Sequence, residues 1–135
     1  MTIRRARPAE LEAVLAVWKA ARSEAASTPD DAAAVAHAIE QAALLVADER
    51  GEIVGTLIAG WDGWRGNMYR LAVAPEIRRR GVARRLISAG EDRLRALGCR
   101  RVTALVWGDD EPATAVWAAF GYDFDRGIAR YVRNL

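Results

Sequence analysis

Apolar residues recur along the 135-residue chain with two periods, and the switches between them mark its elements. The opening stretch Met1-Thr2-Ile3-Arg4-Arg5-Ala6-Arg7-Pro8 reads as a first strand. Leu11, Val14, Leu15 and Trp18 then fall at i, i+3, i+4 and i+7, one face of a helix that Pro8 suits as a starting residue. The pattern breaks near Ser23–Ser27. Thr28-Pro29-Asp30-Asp31 has the form of a helix cap and opens an alanine-rich second helix running to about Ala38. Ala43–Ala47 and Glu52–Gly60 are apolar, strand-like runs, and Asp48-Glu49-Arg50-Gly51 between them predicts a hairpin.

A loop from Trp61 to Gly66 precedes a fourth strand, Asn67–Ala74, which Pro75 stops. Ala83, Leu86, Ile87, Gly90, Leu94 and Leu97 share one face of the longest helix, Gly81–Leu97, and Gly98 ends it. Arg101–Trp107 is a fifth strand. Pro112 opens a short helix with Ala113, Val116, Trp117 and Phe120 inward and Gly121 as its cap. Short strands at Tyr122–Phe124 and Ile128–Val132 close the chain. The order β-α-α-β-β-β-α-β-α-β-β predicts an α/β (α+β) domain, residues 1–135. Its sheet is mixed and mostly antiparallel, with one parallel crossover and helices on its faces.

Composition narrows the chemistry. One cysteine, Cys99, excludes an internal disulfide framework and a cysteine-based zinc cluster; one histidine, His37, excludes a His-rich metal site. No metal is expected. No stretch approaches the ~20 apolar residues of a membrane span, and residues 1–8 lack the apolar core of a signal peptide, so a cytoplasmic protein without a membrane partner is expected. The formal charge is only +2, but all but one of the 20 cationic residues are arginine. Codon bias accounts for that as readily as phosphate binding does, and position has to decide.

Position singles out residues 71–83. A strand ends at Pro75, Arg78-Arg79-Arg80 forms a basic turn, and Gly81-Val82-Ala83 opens a helix, with Arg84 and Arg85 following. A helix start offers backbone N–H groups without intrahelical partners and a positive end of the macrodipole. Glycine lets a ligand approach the backbone closely, and arginine forks suit phosphate oxygens. A pyrophosphate fits this arrangement, although the segment is neither a Walker A loop nor a dinucleotide fingerprint.

On these residues the chain resembles the GNAT superfamily of N-acetyltransferases. Val73-Ala74-Pro75 followed by Arg78-Arg79-Arg80-Gly81-Val82-Ala83 matches its (Arg/Gln)-x-x-Gly-x-(Gly/Ala) acyl-CoA motif, and Ala113 through Gly121-Tyr122 matches its last helix. Gly55-Thr56 with Trp61–Gly66 also looks like a YpeA-like bacterial branch. The resemblance implies acetyl-CoA as co-substrate and a pantetheine arm lying between splayed strands four and five, on the backbone of Leu71, Ala72 and Val73. It implies pyrophosphate on the N–H groups from Arg79 to Arg84 and a backbone N–H near Leu71–Val73 polarising the thioester carbonyl. Asp110 stands where many members carry a CoA-contacting asparagine. Homodimers are common in the superfamily.

The family's general-acid tyrosine is replaced by Trp117, whose indole N–H donates a hydrogen bond but is no usable acid. Its plainer reading is core packing. A thiol leaving group with a pKa near 8.5 departs without full protonation, so the loss slows turnover without abolishing it. The fifth strand lacks the glutamate some relatives use as base. The remaining carboxylates are Asp62 in the loop and Asp109, Asp110 and Glu111 after that strand, acting through water. Each has a structural alternative, Asp62 as turn former and Asp110 or Glu111 as helix cap. Trp61 and Trp64 either line an acceptor pocket or pin a hairpin.

These readings favour direct transfer of an acetyl group from acetyl-CoA to the primary amine of a small molecule or peptide. The alternative is a catalytically weak or silent acyl-CoA-binding module of the same fold. A nucleic-acid partner is not expected, because the arginine cluster lacks interleaved aromatics and carboxylates nearly cancel the charge.

Overall fold

The computed structural model describes residues 1–21, 31–106 and 111–135. Five strands form one sheet in sequence order: β1 (Thr2–Arg5), β2 (Leu44–Glu49), β3 (Glu52–Trp61), β4 (Gly66–Val73) and β5 (Val102–Ala104). The first four pair antiparallel and β5 lies parallel to β4, so the mixed, mostly antiparallel sheet stands as expected. Glu49 faces Glu52 across the β2–β3 turn, where Arg50 (φ 55°) and Gly51 (φ 90°) take the left-handed conformations of a two-residue hairpin.

Strand alternation divides the apolar residues between two layers. Leu45, Ala47, Leu57, Ala59 and Met68 face α3 (Val82–Ala96), whose Leu86, Ile87 and Leu94 are buried against them. Leu44, Val46 and Ile58 face α1 (Leu11–Ala21) and α2 (Ala32–Glu40), meeting Val14, Trp18 and Val35. α3 is the crossover between the parallel strands β4 and β5. α4 (Glu111–Ala119) adds buried Trp117 to the α3-side core.

Several boundaries differ from the sequence pattern. Pro8 opens a 3₁₀ turn, Pro8–Glu10, before α1. Asp31 caps α2; Thr28-Pro29-Asp30 lies outside the described residues. β5 is much shorter than Arg101–Trp107, ending at Ala104. The two closing strands are corrected outright: residues 123–135 form neither helix nor strand, and Phe124, Ile128, Tyr131 and Val132 are exposed. A strand needs a partner edge, and three-residue β5 offers only a short one. Asp125 meanwhile bends the chain by accepting from the Gly127 N–H at 2.9 Å. Among the described residues no helix is long and apolar enough to cross a membrane.

Candidate active site

Two irregularities in β4 make the site. The first is a bulge. Thr56 faces Ala72 but Ile58 faces Tyr69, so Leu57 alone stands opposite both Arg70 and Leu71. Arg70 absorbs the extra residue in a left-handed conformation, φ 55°. Consecutive residues Tyr69 and Arg70 consequently share the α1 side of the sheet, Tyr69 opposite Ile58 and Arg70 with its guanidinium 4.9 Å from the Trp18 ring centre. Leu71 and Val73 pack toward α3.

The second is a parting of strands. β4 pairs with β5 only from Gly66 to Met68, against Val102 to Ala104. Beyond that point Tyr69–Val73 has no ladder partner on this side among the described residues. The Ala74 N–H bonds Val54 O of β3 at 2.9 Å, so the alternate peptide groups of Leu71 and Val73 face the opening. Arg78 Nε reaches Val73 O from there at 3.4 Å.

β4 leads through a 3₁₀ turn, Pro75–Ile77, anchored by buried Ile77, into the basic turn. Arg79 (φ 65°) and Gly81 (φ 79°) are both left-handed, and Gly81 is the N-cap of α3. The first helical bond runs from Arg85 N–H to Gly81 O at 3.2 Å. The N–H groups of Val82, Ala83 and Arg84 therefore precede the ladder, and no side chain caps them. Acidic residues are absent from the first turn of α3. A Cβ placed on Gly81 would meet nothing within 4 Å, so there is open room above the turn for a bulky anion.

Bulge, opening and helix start lie along one groove of about 1920 Å³. Leu71, Ala72, Val73, Arg78, Arg79, Gly81, Ala83 and Arg84 line it. Arg84 is steadied over the Phe120 ring at 5.8 Å. Two residues of the motif point elsewhere: Arg80 pairs with Glu49 at 3.1 Å, and the Val82 side chain is buried in the core. Asp109 and Asp110 lie outside the described residues.

Trp117 and Asp62 also line the groove, whereas Glu111 is exposed at the first position of α4 and is not among the described lining residues. Trp117 is 6% exposed and packs edge-on against Tyr122, ring centres 4.9 Å apart. Among the described residues its indole Nε1–H has no acceptor. Asp62 accepts from the N–H groups of Arg65 (2.6 Å) and Trp64 (2.7 Å), and those bonds hold its carboxyl below the usual range. Tyr122 is unsuited to proton delivery. Its hydroxyl donates to Glu91 at 2.9 Å, and burial, reinforced by that carboxylate, raises its pKa well above the ordinary tyrosine value. Trp61 lines the groove while Trp64 is 85% exposed; buried Cys99 bonds Arg101 O.

Comparison with known proteins decides the family. The model of the acetyltransferase (GNAT) family matches residues 11–122. The chain belongs to the GNAT family. An acetyltransferase of Sodalis glossinidius is 38% identical over 84 residues, a match covering 62% of this chain and 59% of that relative. The PaiA N-acetyltransferase of Thermoplasma acidophilum, solved with coenzyme A, shares the fold at TM-score 0.83 and 15% identity, covering 92% of this chain and 90% of that one. AAC(6′)-Iy, solved with the bisubstrate analogue CoA-S-monomethyl-acetylneamine, shares the fold at TM-score 0.79 and 22% identity, covering 99% of this chain and 98% of that one.

Within the GNAT chain the sequence pattern points to the basic turn and the start of α3 but not to the bulge. Arg70 is neither glycine, asparagine nor aspartate, so no residue preference announces its left-handed backbone. Trp18 was legible only as an apolar position on α1, yet it lines the groove and carries Arg70.

Proposed function

We propose that this GNAT chain transfers an acetyl group from acetyl-CoA to a primary amine, by direct attack of the neutral amine on the bound thioester. The observation that carries this reading is the continuity of the groove, from a helix start without a side-chain cap to a stretch of β4, Tyr69–Val73, that has no ladder partner on the β5 side among the described residues. The turn Arg79–Arg84 takes the pyrophosphate on its N–H groups, with Arg78, Arg79 and Arg84 about it. The pantetheine amides add to β4 like a further strand, bonding Leu71 and Val73. The Leu71 N–H then donates to the thioester oxygen and stabilises the oxyanion as the tetrahedral centre forms.

The acceptor enters from the α1–α2 side, past Trp61, Asp62 and Tyr69. Asp62 stays ionised there and draws in an ammonium group. Its lowered pKa makes it a weak base, so proton removal passes through water. The amine attacks the carbonyl carbon, the C–S bond breaks, and CoA leaves as thiolate, its sulfur accepting a hydrogen bond from Trp117 Nε1–H. The fold shared with a protein holding a CoA-linked acceptor analogue supports one groove for both substrates.

Calorimetric titration with acetyl-CoA, followed by thiol release over a panel of amines, tests this. Micromolar binding with release that depends on an amine is expected. Absence of binding at millimolar acetyl-CoA would sink the reading. Binding without turnover on any acceptor would favour the silent acyl-CoA module, for which the missing tyrosine acid speaks.

A further inference from the structure

Thr56 is a polar residue in the middle of an otherwise apolar stretch of β3, and its side chain is completely buried. Its hydroxyl stands between two groups of opposite character. Trp18 Nε1–H on α1 donates to Thr56 Oγ1 at 2.8 Å, and Thr56 Oγ1–H donates to the carbonyl oxygen of Arg70 at 2.9 Å. An indole only donates and a carbonyl only accepts, so the hydroxyl has one orientation that satisfies both. Turning it would leave a buried polar group unpaired.

The carbonyl so held belongs to the bulge. In a trans peptide the C=O and the following N–H point in opposite directions, and none of the described peptide bonds is cis. Fixing the Arg70 carbonyl toward β3 and α1 therefore aims the Leu71 N–H the other way, into the opening beside β5. We propose that Thr56 is a positioning residue, which with Trp18 sets the direction of the Leu71 N–H that donates to the thioester oxygen. This rests on the acetyl-transfer reading above. Trp18 also carries Arg70 on its ring, so the same side chain holds both the backbone and the side chain of the bulge residue.

Thr56→Val keeps the shape and removes the hydroxyl; Thr56→Ser keeps the hydroxyl and removes a methyl; Trp18→Phe removes only the indole donor and some ring area. The direct readout is the infrared carbonyl stretch of bound acetyl-CoA labelled with carbon-13 at the carbonyl. In the unmodified protein this band is expected below its position in free acetyl-CoA. Thr56→Val is expected to return it toward the free position and to lower kcat roughly ten- to a hundredfold, leaving KM for acetyl-CoA within about twofold. Thr56→Ser restores most of both, and Trp18→Phe gives a partial loss. A folded Thr56→Val protein with the unmodified band and kcat overturns the proposal. If that variant melts without a cooperative transition, an unchanged band in Trp18→Phe overturns it equally. Failure of the unmodified protein to bind acetyl-CoA removes the functional reading itself, whereas a shifted band insensitive to these changes removes only this inference.

Discussion

α2 and α3 begin in opposite ways, and the contrast separates what the chain does for itself from what it leaves for a ligand. At α2 the Asp31 side chain accepts from Ala33 N–H at 2.7 Å, closing the helix start with the protein's own carboxylate. At α3 the cap is Gly81, in a left-handed conformation, with no side-chain bond and no acid in the first turn. Both starts have N–H groups without intrahelical partners and the same end of the macrodipole. One is neutralised from within, while the other is surrounded by arginines and left open. A helix start without a side-chain cap beside a long groove supports the proposed anion site in a way that a basic composition does not.

Breaking that contrast at Gly81 has the largest expected effect. Gly81→Glu supplies α3 with its own carboxylate and forces a side chain onto a φ of 79°. Acetyl-CoA affinity should fall by at least a hundredfold in calorimetry. Gly81→Ala meets no steric obstacle within 4 Å, so it isolates backbone strain and should weaken binding only severalfold. Equal losses in the two variants would mean that charge at the helix start is irrelevant.

The arginines divide next. Arg79 lines the groove, whereas Arg80 is paired with Glu49. Arg79→Ala should weaken acetyl-CoA binding about tenfold and flatten its salt dependence, since a charge-assisted contact to phosphate is lost. Arg80→Ala should stay within about twofold. A comparable loss at Arg80 would place it at the phosphate instead of Glu49.

The same contrast separates what the amino-acid sequence makes legible from what only the packed fold decides. The periodicities located β1, the hairpin, α3 and the basic turn because each is decided by near neighbours: alternation, a glycine, a proline, a run of arginines. The bulge was invisible, because it arises where β3 and β4 slip by one residue and is held by Trp18 and Thr56, 38 positions apart. The closing strands failed for the converse reason. Ile128–Val132 has the local pattern of a strand, but pairing is a property of the edge it must meet, and β5 ends at Ala104. Asp62 showed both sides of this limit. Its turn-forming role follows from a loop sequence, yet only the two N–H bonds reveal how weak a base it is.

At the closed helix start, Asp31→Ala should lower stability by about 1 kcal/mol, or several degrees in the melting midpoint, without altering acetyl-CoA affinity. A change in affinity would show that α2 and α3 are coupled through the acceptor side of the groove.

The 3₁₀ turn Pro8–Glu10 that leads into α1 supplies the smallest and most specific prediction, because it too is closed by a carboxylate. Glu10 accepts from Arg7 N–H at 2.8 Å and from the Arg4 guanidinium, which also bonds Asp48 of β2. The bond from Arg4 is the main reason that both carboxyls are held below their ordinary range, with the N–H groups of Arg7 and Gly51 assisting. A carboxyl whose pKa is lower folded than unfolded contributes stability that is fully present above the unfolded value, about 4.3 for Glu and 3.9 for Asp. That contribution drains away as pH falls through the folded values. Stability should thus be flat from neutrality to about pH 5 and then decline, with Glu10→Gln costing of the order of 1 kcal/mol at pH 7 and progressively less in acid. α3 has no carboxyl in its first turn to lose. While the protein remains folded, acid should therefore loosen α1 against β2 before it disturbs the start of α3. Melting curves of the unmodified and Glu10→Gln proteins between pH 3 and 7 measure this, and parallel curves would show that Glu10 does not close the turn before α1.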